Sequence, residues 1–287
     1  MPGARRETLS DQGPEPFSAH AAQPAPAPSA PRQPEAQPEA PPPTVAACSR
    51  CGAAIPATQP RCDSCALVLG QQVRDRLDQL PGVHKLPVPA LEIYLARDFL
   101  SQEECDALIA MIDADRVPSG LLAKDPDPNF RTSESCNLRR ANPVVQAIET
   151  KITSMTGIDP PLGETIQGQR YDVAQRFKPH HDYFFTDQPY WEQENANGGQ
   201  RTWTAMIFLN EPGAGGQTFF PRVGVRVTPR RGSLMIWNNL DPDGNPNPNS
   251  LHEGCPVEDG LKYVITKWYR ERPWGVSGAP PAGHYHR

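Results

Sequence analysis

The spacing of hydrophobic positions changes near residue 165. Before it, apolar side chains recur at helical intervals: Val73, Leu77 and Leu80, then Cys105, Leu108, Ile109 and Ile112, then Val144, Ile148, Ile152 and Met155. Ser101-Gln-Glu-Glu104 is a capping box that starts the second of these helices. Asn142-Pro143 starts the third, with proline at the first helical position, and Pro81-Gly82 stops the first. After residue 165, short β-branched and aromatic runs dominate at 202–209, 223–227, 233–237 and 261–269, separated by Gly, Pro, Asn and Asp. Helices followed by many short strands predict a mainly β fold with flanking helices, of the double-stranded β-helix (jelly roll) type. Two polar stretches break the pattern: 187–200 reads as an enlarged loop, and 238–250 as a rim loop or an ordinary surface loop.

Composition divides the chain further. Proline, alanine and glutamine fill residues 13–43 with almost no large apolar side chain, which predicts a disordered arm over 1–45. A small cysteine-bearing module (46–69), a connecting helix and linker (70–89), a main domain (90–274) and a flexible tail (275–287) complete the expected organisation. The formal net charge of −5 gives no long-range attraction to nucleic acid. No run of about eighteen apolar residues suits a membrane span. The first residues carry no apolar signal segment, so a cytoplasmic location is expected.

Cys48-Ser-Arg-Cys51 and Cys62-Asp-Ser-Cys65 are two C-x-x-C knuckles ten residues apart. Two such turns aim four thiolates at one tetrahedral ion, so Cys48, Cys51, Cys62 and Cys65 are expected to hold zinc in a zinc-ribbon-like module. Two disulfides are the alternative, disfavoured in a reducing compartment. So small a module draws its folding energy from the metal, and the partner it binds stays unknown.

His180 and Asp182 lie two residues apart, which puts both side chains on one face of an extended strand and His181 on the other. With His252 from a distant segment they form two imidazoles and one carboxylate, a facial set that leaves positions open on iron(II). Lys262 lies on the strand-like run Gly260-Leu-Lys-Tyr-Val-Ile-Thr-Lys-Trp268, where period two aligns it with Val264, Thr266 and Trp268, whereas Lys267 has the opposite parity. If that face looks inward, Lys262 is a buried cation in need of an anion.

These residues resemble the prolyl 4-hydroxylase family of Fe(II)/2-oxoglutarate-dependent dioxygenases, of the alpha-subunit catalytic-domain type. The H-x-D pair, the later His252 and Lys262 ten residues beyond it carry the resemblance, with Arg131-Thr-Ser133, Tyr171, Gln175, Arg201-Thr-Trp-Thr204, Gly215-Gly-Gln-Thr218-Phe-Phe-Pro221 and Pro229-Arg-Arg-Gly232. It implies iron(II) on His180, Asp182 and His252, with 2-oxoglutarate anchored by Lys262. It further implies hydroxyls from Tyr171 and Thr204 in the cosubstrate pocket, Trp268 beside the substrate opening, O2 as oxidant and ascorbate as reductant. The implied reaction hydroxylates a C–H bond, that of a prolyl residue in a protein or peptide, and releases succinate and CO2. One departure stands out, because Phe177 occupies a place where the family shows a tyrosine that faces the target proline. It keeps open an oxygenase for a small molecule or another side chain, beside a non-catalytic adaptor that only binds metal or oxoglutarate.

Overall fold

Alternation along the central strands sorts side chains into two buried layers, one under helices and one inside a cavity. The computed structural model describes residues 45–48, 52–57, 62–121 and 127–275, so residues 1–44 of the arm, Cys51 and residues 276–287 of the tail lie outside the described residues. The described residues belong to one compact unit, Pro43–Arg287. In chain order, β1 (Val45–Ala47) and β2 (Ala54–Pro56) form a small hairpin that precedes α1 (Asp63–Gln79). Next come β3 (Val83–Lys85), β4 (Ile93–Ala96), α2 (Gln102–Asp115), β5 (Val117–Pro118), β6 (Glu134–Asn137) and α3 (Pro143–Thr156). The second half holds β7 (Gln167–Tyr171), β8 (Phe177–His180), α4 (Trp191–Ala196), β9 (Arg201–Phe208), β10 (Ala214–Gly215) and β11 (Thr218–Phe220). It closes with β12 (Val225–Val227), β13 (Leu234–Asn238), β14 (His252–Gly254), β15 (Val257–Asp259) and β16 (Lys262–Arg270).

A large antiparallel sheet runs β3-β4-β13-β9-β16-β7-β6-β5, and a smaller one runs β12-β11-β14-β8. On the outer face of the large sheet, Ala205, Ile207, Leu234, Ile236, Tyr263 and Ile265 pack under residues of α1, α2 and α3. On its inner face, Tyr171, Met206, Phe208, Met235, Trp237 and Val264 pack with Phe220 and Val227 of the smaller sheet. Both faces of β9 are therefore covered, so it is buried along almost its whole length and its second half, Ala205-Met-Ile-Phe208, is an unbroken apolar run. The result is mainly β with helices on one side, a jelly roll as the strand pattern predicts.

The helix caps follow the sequence. Ser101 and Glu104 make both capping-box bonds of α2, and Asn142 caps α3 with Pro143 at its start. The buried stripe of α3 is Val145, Ile148, Ile152 and Thr156, so Val144 and Met155, read as core from their spacing, lie partly buried at its margin. Close packing of α2 onto the sheet requires Gly168 in β7, where a Cβ would sit 2.4 Å from Ile112 Cγ1.

Two further expectations change. The helix read over 71–80 begins at Asp63, inside the cysteine segment, and carries Val73 and Leu77 into the main core. The stretch 187–200 contains α4 and is strapped to the end of β16. Arg270 donates to Glu194 (2.5 Å) and to the Gly199 carbonyl (2.6 Å), Arg272 donates to Asn195, and Gln200 brackets the backbone of Phe184. Its polarity thus reflects buried ion pairs as well as exposure to water.

Candidate active site

Strand register brings the sequence-predicted residues together. β14 pairs antiparallel with β8 so that His252 lies opposite His180, and Asp182 follows two residues after it. The ligand atoms of His180, Asp182 and His252 lie within 4.8 Å of one another. The His180 Nε2 is 4.0 Å from one oxygen of Asp182, and the His252 Nε2 is 3.9 Å from the other. Asp182 and His252 are buried, and His180 is nearly so.

Hydrogen bonds determine which nitrogen of each ring is available. The Nδ1 of His180 lies 2.8 Å from the Lys178 carbonyl, and the Nδ1 of His252 lies 2.9 Å from the Ser250 carbonyl. A carbonyl only accepts, so Nδ1 carries the proton and Nε2 presents its lone pair toward Asp182. Burial, reinforced by the neighbouring His252, holds His180 well below the ordinary histidine pKa, so the ring is neutral near pH 7. The carboxylate is oriented as well: Thr204 donates to Asp182 Oδ2 (2.7 Å), Asn239 Nδ2 donates to the Thr204 hydroxyl (2.8 Å), and Trp237 Nε1 donates to Asn239 (3.0 Å). Phe177 stacks on His180 with ring centroids 3.5 Å apart, and Trp237 meets the ring of His252 edge-on at 4.9 Å.

Such a donor set, two imidazoles whose Nδ1 atoms are engaged by carbonyls and one oriented carboxylate with no thiolate, fits iron(II) with coordination positions left for other ligands. His181 takes no part in it. Its ring stacks on Tyr183 on the other side of the strand, and burial lowers its pKa to about 4.

A partly open cavity lies beside this cluster, lined by Tyr171, Phe177, Met206, Trp237 and the ligand residues. Lys262, Val264, Thr266 and Trp268 all line it, the parity expected of β16. Lys267 points to the helical side and pairs with Glu149 (2.5 Å). Lys262 is 3% exposed and makes no hydrogen bond or ion pair among the described residues; the Tyr171 and Phe208 rings lie 5.2 and 5.8 Å from its Nζ. Burial lowers its pKa to about 8, so near pH 7 it is a charged, unpaired cation. The Thr218 hydroxyl and the Trp268 Nε1 are also buried without a partner in the same cavity wall. A carboxylate fits this arrangement, since it would supply Lys262 with a counter-charge and Thr218 with an acceptor.

Not every assigned residue sits as expected. Tyr171 lies opposite Lys262 and lines the cavity, with its hydroxyl donated to Gln169 (2.8 Å). Thr204 is not among the lining residues, because its hydroxyl is engaged with Asp182 and Asn239. Thr218, which entered the sequence analysis only as one member of an ordered series, lines the same cavity as Lys262 with an unpartnered hydroxyl, and its strand partner Gly254 lies against the Lys262 ammonium. Trp268 lies under the Arg201 guanidinium at 4.2 Å, and Arg201 is held by Glu164 (2.6 and 2.8 Å). Burial would raise the pKa of Glu164, yet Arg201 and Arg270 draw it down to about 2. Phe177 also lies under the Arg131 guanidinium at 4.8 Å, which makes it a packing plate between that cation and His180.

In a second cluster far from the cavity in sequence, the Cys48, Cys62 and Cys65 sulfurs lie within 4.8 Å of one another; Cys51 is outside the described residues.

The profile of the 2OG-Fe(II) oxygenase superfamily matches residues 166–270, the stretch that contains every residue of the main site. Prolyl 4-hydroxylase 5 of Arabidopsis thaliana is 34% identical over 203 residues, which cover 62% of this chain and 68% of that protein. The chain belongs to the prolyl 4-hydroxylase family. It is a 2-oxoglutarate-dependent dioxygenase, a class that works with iron(II), 2-oxoglutarate and O2. Prolyl 4-hydroxylase 1 of the same plant is 32% identical over 200 residues, covering 63% of this chain and 69% of that one. The solved 2OG complex of vCPH, a viral collagen prolyl hydroxylase from Paramecium Bursaria Chlorella virus-1, shares 25% identity at a TM-score of 0.49, over 62% of this chain and 94% of that one. Among the described residues, no helix is long and apolar enough to cross a membrane.

Proposed function

We propose that this dioxygenase hydroxylates a prolyl residue in an extended segment of a protein or peptide, with His180, Asp182 and His252 as the iron(II) ligands and Lys262 as the anchor of 2-oxoglutarate. The observation that carries the assignment is the unpaired, buried Lys262, which lines one cavity with an unpartnered Thr218 hydroxyl and the two-histidine, one-carboxylate set. Similarity to Arabidopsis prolyl 4-hydroxylases supports the prolyl substrate. When bound, iron(II) with 2-oxoglutarate and O2 supplies hydroxylation of an unactivated C–H bond, with succinate and CO2 as coproducts.

The contributions of the chain itself are positional. Lys178 and Ser250 carbonyls fix the tautomers of the two histidines, and Thr204 fixes the plane of Asp182. Lys262 and Thr218 would hold the far carboxylate of the cosubstrate. Apolar walls from Phe177, Met206, Trp237 and Val264 limit water in the cavity. Trp268, braced by Arg201, borders the substrate side. Tyr171 contributes its ring beneath Lys262.

Ascorbate is assigned as the reductant that keeps the iron divalent. We assign zinc to Cys48, Cys62 and Cys65, with Cys51 as the fourth ligand on the strength of its C-x-x-C spacing. A cytoplasmic location completes the proposal, since reduced thiols suit such a site.

A second reading, oxidation of a small molecule or of another side chain, is favoured by Phe177, which has no hydroxyl to offer a prolyl substrate. Succinate release measured with proline-rich peptides, free proline and a metabolite panel separates the two. Peptide-dependent succinate, matched by one added oxygen on a prolyl residue, is the expected result. Turnover only with free small molecules would overturn the prolyl assignment.

A further inference from the structure

The cysteine cluster is joined directly to the catalytic core. Cys62 is the N-cap of α1 and makes no side-chain capping bond there, and Cys65 lies in the first turn. Cys48 is held by the β1–β2 hairpin, where its carbonyl accepts from the Gly52 amide (2.9 Å) and its amide donates to the Ala53 carbonyl (2.8 Å). The sulfurs therefore meet at a helix start where a polar cap would otherwise be expected.

The other end of the same helix belongs to the enzyme. Val73 and Leu77 are buried with Ile207, Ile236 and Ile265 in the layer behind the cavity-bearing sheet. Arg76 donates twice to the Ser154 carbonyl of α3 (3.1 and 2.6 Å). Arg74 donates to Glu92 (3.3 Å), and the same Glu92 oxygen accepts from Asn238 Nδ2 (3.0 Å), while its backbone carbonyl accepts from Asn238 N (3.1 Å). Asn238 lies between Trp237, which lines the cavity, and Asn239, which orients Thr204 and through it Asp182.

We propose that zinc held by the cysteines is a structural staple of the catalytic unit: it fixes the first turn of α1, and α1 braces the strand that carries Trp237, Asn238 and Asn239. The inference rests on the zinc assignment above and extends it from the module to the active-site sheet. Metal binding at structural thiolate sites is also folding energy. In a helix shared by both halves, that energy protects the residues packed on its far end.

Hydrogen exchange of the iron-free 287-residue chain tests this, with zinc content measured in parallel. The zinc-loaded protein is compared with the same protein after removal of zinc by a chelator, after zinc is restored, and with the Cys62→Ser/Cys65→Ser variant. One zinc per chain is expected, and its loss should speed exchange about tenfold or more over residues 71–79 and 234–239, reversed when zinc returns. Using unmutated protein keeps the test valid if the variant fails to fold. Zinc bound, with faster exchange confined to residues 45–70, would overturn the staple and leave the zinc assignment standing. No zinc bound to the intact chain would overturn both.

Discussion

Replacing Lys262 with Met should stabilise the cosubstrate-free protein while removing its grip on 2-oxoglutarate. The ammonium is buried with no anion, and burial lowers its pKa from the ordinary 10.5 to about 8. That difference corresponds to about 3 kcal/mol of penalty for keeping the charge inside the folded protein. Because the folded pKa lies below the unfolded one, the penalty is fully present below about pH 8 and fades as pH rises toward 10.5. Wild-type stability should therefore climb through that window, and the Lys262→Met curve should not. Methionine retains most of the stem volume, so at pH 7 the variant should gain up to about 3 kcal/mol, reduced by lost contacts with the Tyr171 and Phe208 rings. For the cosubstrate, losing a charge-assisted bond of about 1.5–3 kcal/mol weakens binding about tenfold to over a hundredfold. In the wild type, 2-oxoglutarate affinity should fall above about pH 8 as Lys262 loses its proton. Urea unfolding of iron-free protein at pH 7 and pH 10, followed by tryptophan fluorescence, reads the first effect, and direct 2-oxoglutarate titration reads the second. A variant less stable than wild type at pH 7, with unchanged 2-oxoglutarate affinity, would refute the unpaired-cation account.

Three other predictions concern residues that position the site. Thr204→Val leaves Asp182 Oδ2 and Asn239 Nδ2 without their shared hydroxyl, so iron(II) affinity should fall roughly 10- to 100-fold, and an unchanged dissociation constant would remove Thr204 from the orienting chain. Thr218→Val should raise the 2-oxoglutarate KM about tenfold while leaving iron affinity intact, in line with one lost hydrogen bond of roughly 1.5 kcal/mol; equal losses of both would point to general distortion. Arg270, only 1% exposed, pairs with Glu164 and Glu194, so Arg270→Met should cost about 3–5 kcal/mol in chemical denaturation by leaving the buried Glu194 uncompensated while Glu164 keeps Arg201, and a loss under about 1 kcal/mol would show that water relieves Glu194.

Much of the main site was legible because strand parity is a hard constraint. A spacing of two puts His180 and Asp182 on one face, and an even offset puts Lys262, Val264, Thr266 and Trp268 into one wall. Caps at Ser101 and Asn142 were equally readable, because the groups that satisfy a helix start are local in sequence. Long-range hydrogen bonds were not. Which of Thr204 and Thr218 lines the cavity with Lys262 depends on how two sheets pack, and both are threonines on strands with apolar neighbours. Asn239 looked like one more polar loop residue, yet it is fully buried and bonded to Thr204. The stretch 187–200 read only as an enlarged polar loop because Glu194 reveals its partner only when Arg270, far along the chain, is folded against it. Helical spacing alone also placed the buried stripe of α3 slightly off, since Val144 and Val145 differ only in how the helix rolls against the sheet. The start of α1 was hidden by the cysteines, whose metal-binding pattern argued for a module that ends before the helix begins.

The central claim is a 2-oxoglutarate site on iron(II) held by His180, Asp182 and His252, with Lys262 as its anchor. Anaerobic visible absorption during titration of the iron(II)-loaded protein with 2-oxoglutarate tests it most directly and requires no substrate. A charge-transfer band that saturates in the wild type, needs far more 2-oxoglutarate in Lys262→Ala and does not form in Asp182→Ala is the predicted result. No band in wild-type protein shown to contain iron would contradict the account.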